Sequence, residues 1–163
     1  MKTAIVYYSL TGNVDFAAGR IARLLDAELI RIAPEKAYPD SGARKFLWGG
    51  KSAVMGEAPR LLPYDFRPEA YDCVVLGTPV WAGTFAPPLR TFLKEQQAAL
   101  AGKPVAAFAC SSGGSADKAL EKLRQALGIP AFAATLALVD PKDKASAEND
   151  KKIAAFCAEL KKL

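Results

Sequence analysis

The first cluster of residues that could do chemistry is a run of small polar residues directly after the opening apolar segment of the chain. The small polar residues there lead into a segment with helical spacing that contains Phe16, Ile21 and Leu25. A loop of this kind at a helix N-terminus presents backbone N–H groups and hydroxyls to an anion, which the helix dipole also favours. Gly12 lets the backbone come close to such a ligand, and Asn13 is expected to cap the helix. The pattern predicts a phosphate-binding loop, although the same residue types are also ordinary N-cap chemistry. The loop comprises Ser9, Leu10, Thr11, Gly12, Asn13 and Val14.

Two further loops carry residue types suited to a flat ring that bears a phosphate. Trp81, bounded by Pro79 and Gly83, suggests a side chain that stacks on an aromatic ligand; the alternative is a side chain that covers the core beneath a loop. The later segment, which ends at Ser115, either lines a pocket with hydroxyl and N–H groups or only caps the next helix. The first loop comprises Thr78, Pro79, Val80, Trp81, Ala82 and Gly83, and the second comprises Ser111, Ser112, Gly113 and Gly114.

The composition excludes several kinds of catalytic site. Histidine is absent from the sequence, which excludes Ser-His-Asp and Cys-His catalysis and the H-E-x-x-H metal site. Cys73, Cys110 and Cys157 lie far apart, without a C-x-x-C pair, so neither a disulfide scaffold nor a zinc site is expected. Cys110 lacks the following arginine that a phosphatase nucleophile needs, and we interpret it as a small buried residue. Neither G-x-G-x-x-G nor the P-loop pattern occurs. Any catalysis is therefore predicted to depend on a bound cofactor, with no metal and no side chain assigned as catalytic.

The charge and hydropathy patterns bear on partners and location. The formal net charge is +5, and the basic residues are spread along the chain with acidic residues between them. This spacing indicates a solvated surface rather than a nucleic-acid stripe, and it favours an acidic protein partner. No segment is long enough to cross a membrane, and the opening apolar run is too short for a signal peptide. We expect a cytoplasmic protein with reduced thiols that contacts neither nucleic acid nor membrane.

The order of the elements determines where these loops lie. Continuous apolar runs predict five strands buried on both faces, and segments with helical spacing lie between them. This alternation implies an α/β fold with right-handed crossovers, here the doubly wound parallel order 2-1-3-4-5 in a single domain over residues 1–163. Ligands of such folds bind beyond the carboxyl ends of the strands, between strands 1 and 3, where the three loops are expected to meet. The predicted strands cover residues 3–8, 29–33, 73–77, 105–110 and 132–139, and the predicted helices cover residues 13–26, 87–99, 115–127 and 145–160, with a less regular helix within residues 41–55.

An aromatic and basic segment, residues 46–51, lies in the long connection between strands 2 and 3. One interpretation is a lid or a partner surface near the ligand. The other, which we prefer, is a helix that packs Phe46, Leu47, Val54 and Met55 on the sheet.

The three loops and the order of the elements resemble those of the flavodoxin family over essentially the whole chain. The fifth strand shows no large insertion, as in the short-chain members. The resemblance implies a three-layer α/β/α sandwich with a five-stranded parallel sheet, and FMN as the cofactor. It also implies an isoalloxazine ring between the Trp81 and Ser111 loops, with backbone groups near Ala82 and Gly83 close to the flavin N5. The FMN phosphate would lie at Ser9, Thr11, Gly12, Asn13 and Val14.

Three features depart from the family pattern. Val14 stands where the family usually has a third hydroxyl residue, so the phosphate would rely more on backbone N–H groups. The Ser111 loop lacks the tyrosine that commonly covers the outer flavin face, which leaves that face open to a substrate or partner. The chain is basic, whereas electron-transfer flavodoxins are typically acidic.

The resemblance implies low-potential electron transfer to redox partner proteins. The alternative is an FMN-dependent NAD(P)H:quinone-type reductase, with a nicotinamide and a quinone as substrates. The short chain without added substrate elements favours the carrier, whereas the open outer face and the basic charge favour the reductase. A ligand-binding module without redox chemistry is the third hypothesis.

Overall fold

A single sheet forms the centre of the molecule. The computed structural model describes residues 1–40 and 42–163, apart from the side chains of residues 45 and 46. The strands are β1 (Thr3–Tyr7), β2 (Glu28–Arg31), β3 (Cys73–Trp81), β4 (Thr84–Phe85), β5 (Val105–Ser111) and β6 (Thr135–Val139). Five of them pair in parallel in the order β2-β1-β3-β5-β6, and the short β4 pairs antiparallel with the end of β3. The five parallel strands therefore have the predicted order 2-1-3-4-5.

Helices cover both faces of the sheet. They are α1 (Asn13–Leu25), α2 (Gly42–Val54), α3 (Pro87–Leu100), α4 (Ala116–Leu127) and α5 (Ala147–Leu160), with a 3₁₀ turn at Pro68–Ala70. One buried cluster joins α1 and α5 to the sheet, and a second joins α3 and α4 to the opposite face. Successive residues of β1 alternate between the clusters, with Ile5 in the first and Ala4 and Val6 in the second. Because a central strand buries both of its faces, its sequence is the continuous apolar run from which it was predicted.

The predicted boundaries differ from the structure where hydropathy does not decide where a strand stops. β3 continues four residues beyond the predicted end at Gly77 and forms a hairpin with β4. The prediction that residues 78–83 form a loop is therefore wrong for residues 78–81, which belong to β3, whereas Ala82 and Gly83 form the turn. β6 begins at Thr135, three residues later than predicted. Ala133 and Ala134 already form backbone hydrogen bonds with β5, but the paired register of the two strands begins only at Thr135.

Candidate functional site

A cavity of about 530 Å³ opens at the carboxyl ends of the parallel strands. It lies where the strand order reverses, since β1 continues into one wall, β3 into the second and β5 into the third. All the residues predicted for the site line it, apart from Gly12 and Thr78. These lining residues are Ser9, Leu10, Thr11, Asn13, Val14, Pro79, Val80, Trp81, Ala82, Gly83, Ser111, Ser112, Gly113 and Gly114.

The first wall is the loop that joins β1 to α1. Gly12 precedes the helix with φ of 100°, a left-handed conformation that a residue with a Cβ adopts only with strain. The Ser9 hydroxyl accepts a hydrogen bond from the backbone N–H of Asp15 at 3.2 Å and so satisfies one donor of the first helical turn. The loop therefore holds small residues and a helix N-terminus against the cavity, as an anion site requires.

The prediction that Asn13 caps α1 is wrong. Asn13 is the first helical residue, and its side chain reaches the loop that follows β6. Its Oδ1 accepts the backbone N–H of Lys142 at 2.9 Å, and its Nδ2 donates to an Asp143 carboxylate oxygen at 2.8 Å. Asn13 thus connects the anion loop to the loop that follows β6, the strand at one edge of the sheet.

Beneath the anion loop, a small polar network supports its backbone. The Tyr7 hydroxyl donates to Asp15 at 2.7 Å, and the Arg31 guanidinium donates to the Ser9 carbonyl at 3.1 Å. Arg31 also lies 3.7 Å from the Asp15 carboxylate. Burial, together with this contact to Asp15, raises the pKa of the Tyr7 hydroxyl, so the tyrosine stays protonated and remains a hydrogen-bond donor.

The second wall is the β3–β4 hairpin. Its two turn residues, Ala82 and Gly83, have φ of 50° and 70°. Positive φ at both turn positions matches the twist of the two flanking strands. The hairpin places Trp81 and the turn backbone against the cavity on a paired strand end.

Trp81 packs against several aromatic and small residues as well as lining the cavity. Its ring lies 5.7 Å from that of Tyr8 and 5.1 Å from that of Tyr38, both edge-to-face. A Cβ added to Gly49 of α2 would lie 3.1–3.4 Å from three carbons of the indole, so this glycine sits directly on the ring. Trp81 therefore both faces the cavity and covers part of the core, so the two interpretations of this residue are compatible.

Thr78 serves the fold rather than the cavity. Its side chain is fully buried, and its hydroxyl accepts the backbone N–H of Ala86 at 2.9 Å, immediately before α3. The same hydroxyl donates to the Pro79 carbonyl at 2.9 Å. These contacts explain why a polar residue stands at a buried position of β3.

The third wall is the loop between β5 and α4. The Ser111 hydroxyl accepts the backbone N–H of Gly114 at 3.3 Å, while Ser112 and Gly113 are exposed. Ser115 precedes α4, as the plainer interpretation of this loop expected, but its side chain makes no capping hydrogen bond. Burial raises the pKa of the Cys110 thiol to about 12, in keeping with its interpretation as a buried residue rather than a nucleophile.

The family follows from a comparison with known proteins. The sequence model of a family described as flavodoxin matches residues 2–142 of the chain. The chain belongs to the flavodoxin family. This confirms the resemblance found in the sequence and, with it, FMN as the cofactor of the family.

Solved flavoprotein structures share the fold of this flavodoxin. It is similar to a flavoprotein from Lactobacillus acidophilus NCFM in complex with FMN, with 23% identity, a TM-score of 0.69, and coverage of 93% of this chain and 97% of that chain. It is also similar to flavodoxin 1 from Bacillus cereus, with 20% identity, a TM-score of 0.56, and coverage of 99% and 98%. A two-electron reduced flavodoxin from Megasphaera elsdenii has 18% identity, a TM-score of 0.62, and coverage of 96% and 98%. These structures confirm the predicted three-layer architecture.

The cavity of this flavodoxin also has lining residues that sequence reasoning did not assign to it. They are Gly50, Cys110, Ser115, Asp140 and Asp143. Asp140 directly follows the last predicted strand and Asp143 lies three residues further on, so the rule that sites form at the carboxyl ends of strands could have found them. Gly50 comes from α2, where periodicity does not show which face turns towards the sheet.

The interpretation of α2 as a helix that packs large apolar residues on the sheet is wrong. Leu47, Val54 and Met55 are 67–70% exposed, and the side chain of Phe46 lies outside the described residues. The helix instead turns small residues inward, with Gly49 against Trp81, because the hairpin leaves little room beneath it. Among the helices described, none combines the length and the apolar character needed to cross a bilayer.

Proposed function

We propose that this flavodoxin binds FMN in the cavity at the strand ends and acts as an electron carrier between other oxidoreductases. The observation that carries the proposal is the arrangement of the cavity, which joins an anion loop at a helix N-terminus to a wall that contains Trp81. A volume of about 530 Å³ lies within the range of about 300–1,000 Å³ that is usual for small-molecule sites.

The residues present fit FMN by the chemistry of their donors. Backbone N–H groups of the anion loop, with the hydroxyls of Ser9 and Thr11, would hold the phosphate. Trp81 on one side and the Ser111 loop on the other would enclose the isoalloxazine ring. FMN, when bound, supplies one-electron and two-electron transfer.

The protein's part is to position the cofactor and to shape its surroundings. The hairpin turn at Ala82 and Gly83 presents backbone groups to the ring, and Trp81 keeps water from the face that it covers. No side chain of the site is required as a catalytic acid or base. A net charge of +5 supports acidic proteins as redox partners.

Titration of the apoprotein with FMN, followed by flavin fluorescence, tests cofactor binding. We expect saturable binding of one FMN per chain, with weaker binding when Trp81 is replaced by Ala. Anaerobic stepwise reduction of the loaded protein then tests the role, because a carrier is expected to show two separate spectral transitions. A protein that binds no FMN would refute the proposal and favour a binding module without redox chemistry.

One structural feature favours a second function, an NAD(P)H:quinone-type reductase. The third wall has no aromatic side chain, and Ser112, Gly113 and Gly114 are exposed. That side of the site would admit a nicotinamide or a quinone. Steady-state oxidation of NADPH in the presence of a quinone separates the two functions. Turnover together with a single spectral transition on reduction would favour the reductase, and negligible turnover would favour the carrier.

A further inference from the structure

Arg31 and Lys142 contact the anion loop, Lys144 lies two residues beyond Lys142, and the three side chains differ in their partners. Arg31 donates to the Ser9 carbonyl and pairs with the carboxylate of Asp15. Lys144 lies 3.0 Å from the carboxylate of Asp140. Lys142 forms no salt bridge with any residue that the structure describes. Its positive charge is therefore not offset by a described partner.

The geometry holds Lys142 against the outer surface of the anion loop. Its backbone N–H donates to the Asn13 side chain at 2.9 Å, which fixes the start of the side chain. The side chain then runs along Gly12, where an added Cβ would lie 3.3 Å from Cδ and 3.1 Å from Nζ. The ammonium reaches the Thr11 carbonyl at 3.5 Å, the outer limit of a hydrogen bond.

An anion bound in this loop would lie close to negative charges of the protein, so a nearby positive charge would favour its binding. The carboxylates of Asp140 and Asp143 line the same cavity and repel a phosphate. Lys144 offsets Asp140, whereas Asp143 is bonded only to the neutral amide of Asn13 among the described residues. Val14, the second residue of α1, has no hydroxyl to offer a bound anion.

We propose that Lys142 supplies the positive charge that makes this site prefer a phosphorylated flavin to the same flavin without phosphate. The inference rests on the proposed binding of FMN and adds a specificity residue from the loop after β6. The ammonium acts across the wall of the loop by charge, so its effect is moderate and sensitive to salt. At a separation of several ångströms near a solvated surface, removal of the charge is expected to weaken phosphate binding by about five- to tenfold.

The test compares dissociation constants for FMN and riboflavin, which differ by the phosphate. Lys142→Gln is expected to raise the dissociation constant of FMN about five- to tenfold and to leave that of riboflavin unchanged. Lys144→Gln removes the same charge from the same loop, but from a side chain already paired with Asp140, so it is expected to have a smaller effect on FMN. Lys142→Arg is expected to restore most of the affinity, and the salt dependence of FMN binding is expected to be shallower in Lys142→Gln than in the wild type.

Three outcomes would overturn the inference. Equal weakening of FMN and riboflavin by Lys142→Gln would show that the side chain only supports the loop through Thr11. Unchanged FMN affinity in Lys142→Gln would show that its charge does not reach the phosphate. An equal loss in Lys144→Gln would show a general effect of net charge. If the wild-type protein binds neither flavin, the proposed function itself fails, which is distinct from a protein that binds FMN irrespective of Lys142.

Discussion

Replacement of Gly49 by alanine tests whether α2 determines the position of Trp81. The added methyl group would lie 3.1, 3.2 and 3.4 Å from three indole carbons. Carbon atoms in contact prefer about 3.5–4.0 Å, so the ring must shift by roughly 0.5 Å. Such overpacking typically costs about 1–3 kcal/mol. Against this, alanine in a helix interior is favoured over glycine by about 0.8–1.0 kcal/mol.

Gly19→Ala is the matched control. Gly19 lies inside α1, and an added Cβ there meets no atom within 4 Å. We expect Gly19→Ala to raise the free energy of unfolding of the apoprotein by about 0.8–1.0 kcal/mol. In Gly49→Ala the clash offsets this gain, so its free energy of unfolding is expected to be about 1–3 kcal/mol lower than that of Gly19→Ala. Urea unfolding measures both values.

The same displacement of Trp81 is expected to weaken the binding of FMN in the cavity. In the proposed FMN complex, a displaced Trp81 would lose part of a stacking contact worth about 0.5–1.5 kcal/mol, so the dissociation constant of FMN is expected to rise about two- to tenfold in Gly49→Ala. Gly19→Ala should leave it unchanged. The emission of Trp81 should shift as well, measured in a Trp48→Phe background because the chain has two tryptophans. If Gly49→Ala stabilises the protein as much as Gly19→Ala and binds FMN normally, the reasoning about this contact is refuted.

Three further predictions follow from individual positions. Gly77→Ala would place a Cβ 2.3 Å from Phe108, so we expect a loss of about 3 kcal/mol or more in urea unfolding, and near-wild-type stability would contradict the packing described. The paired hydrogen bonds from Arg124 lower the pKa of Glu121 to about 2, and NMR titration should show its return towards about 4.3 in Arg124→Gln. Because that pKa is lowered by folding, the stabilisation is present above about pH 4.3 and is lost as the pH falls towards 2. Cys110 should resist thiol reagents at pH 8 until the protein is unfolded, and mass spectrometry that finds it modified in the folded state would argue against its burial.

The architecture of this flavodoxin was predictable because burial leaves a local record in the sequence. Strands covered on both faces appear as continuous apolar runs, and the crossovers between parallel strands admit few orders. The walls of the cavity were predictable for the same reason, since loops at the carboxyl ends of neighbouring strands must meet. Trp81 and Ser111 could thus be assigned to one site although they lie at the ends of different strands.

The wrong predictions concern segments in which residue type and tertiary contacts favour different structures. Pro79 and Gly83 are typical loop residues, yet the antiparallel pairing of Trp81 with Thr84 extends the strand through that segment. The apolar residues of α2, such as Leu47 and Val54, suit a buried face by composition alone. The inward face of the helix carries the small residues Gly49, Ser52 and Ala53, with Gly49 against Trp81 of the hairpin, and the larger side chains turn outward.

The sequence by itself determined the order of the elements, the three segments that form the walls of the cavity and the absence of histidine chemistry, because periodicity and residue type are local properties. The tertiary structure decided which side chains meet across those loops. Asn13 and Lys142 are 129 residues apart. They become hydrogen-bonded only when the sheet brings the loops that follow β1 and β6 together at the carboxyl ends of the strands. The physical reason is that a helix cap and a tertiary hydrogen bond satisfy Asn13 equally well, and only packing determines which of the two it makes.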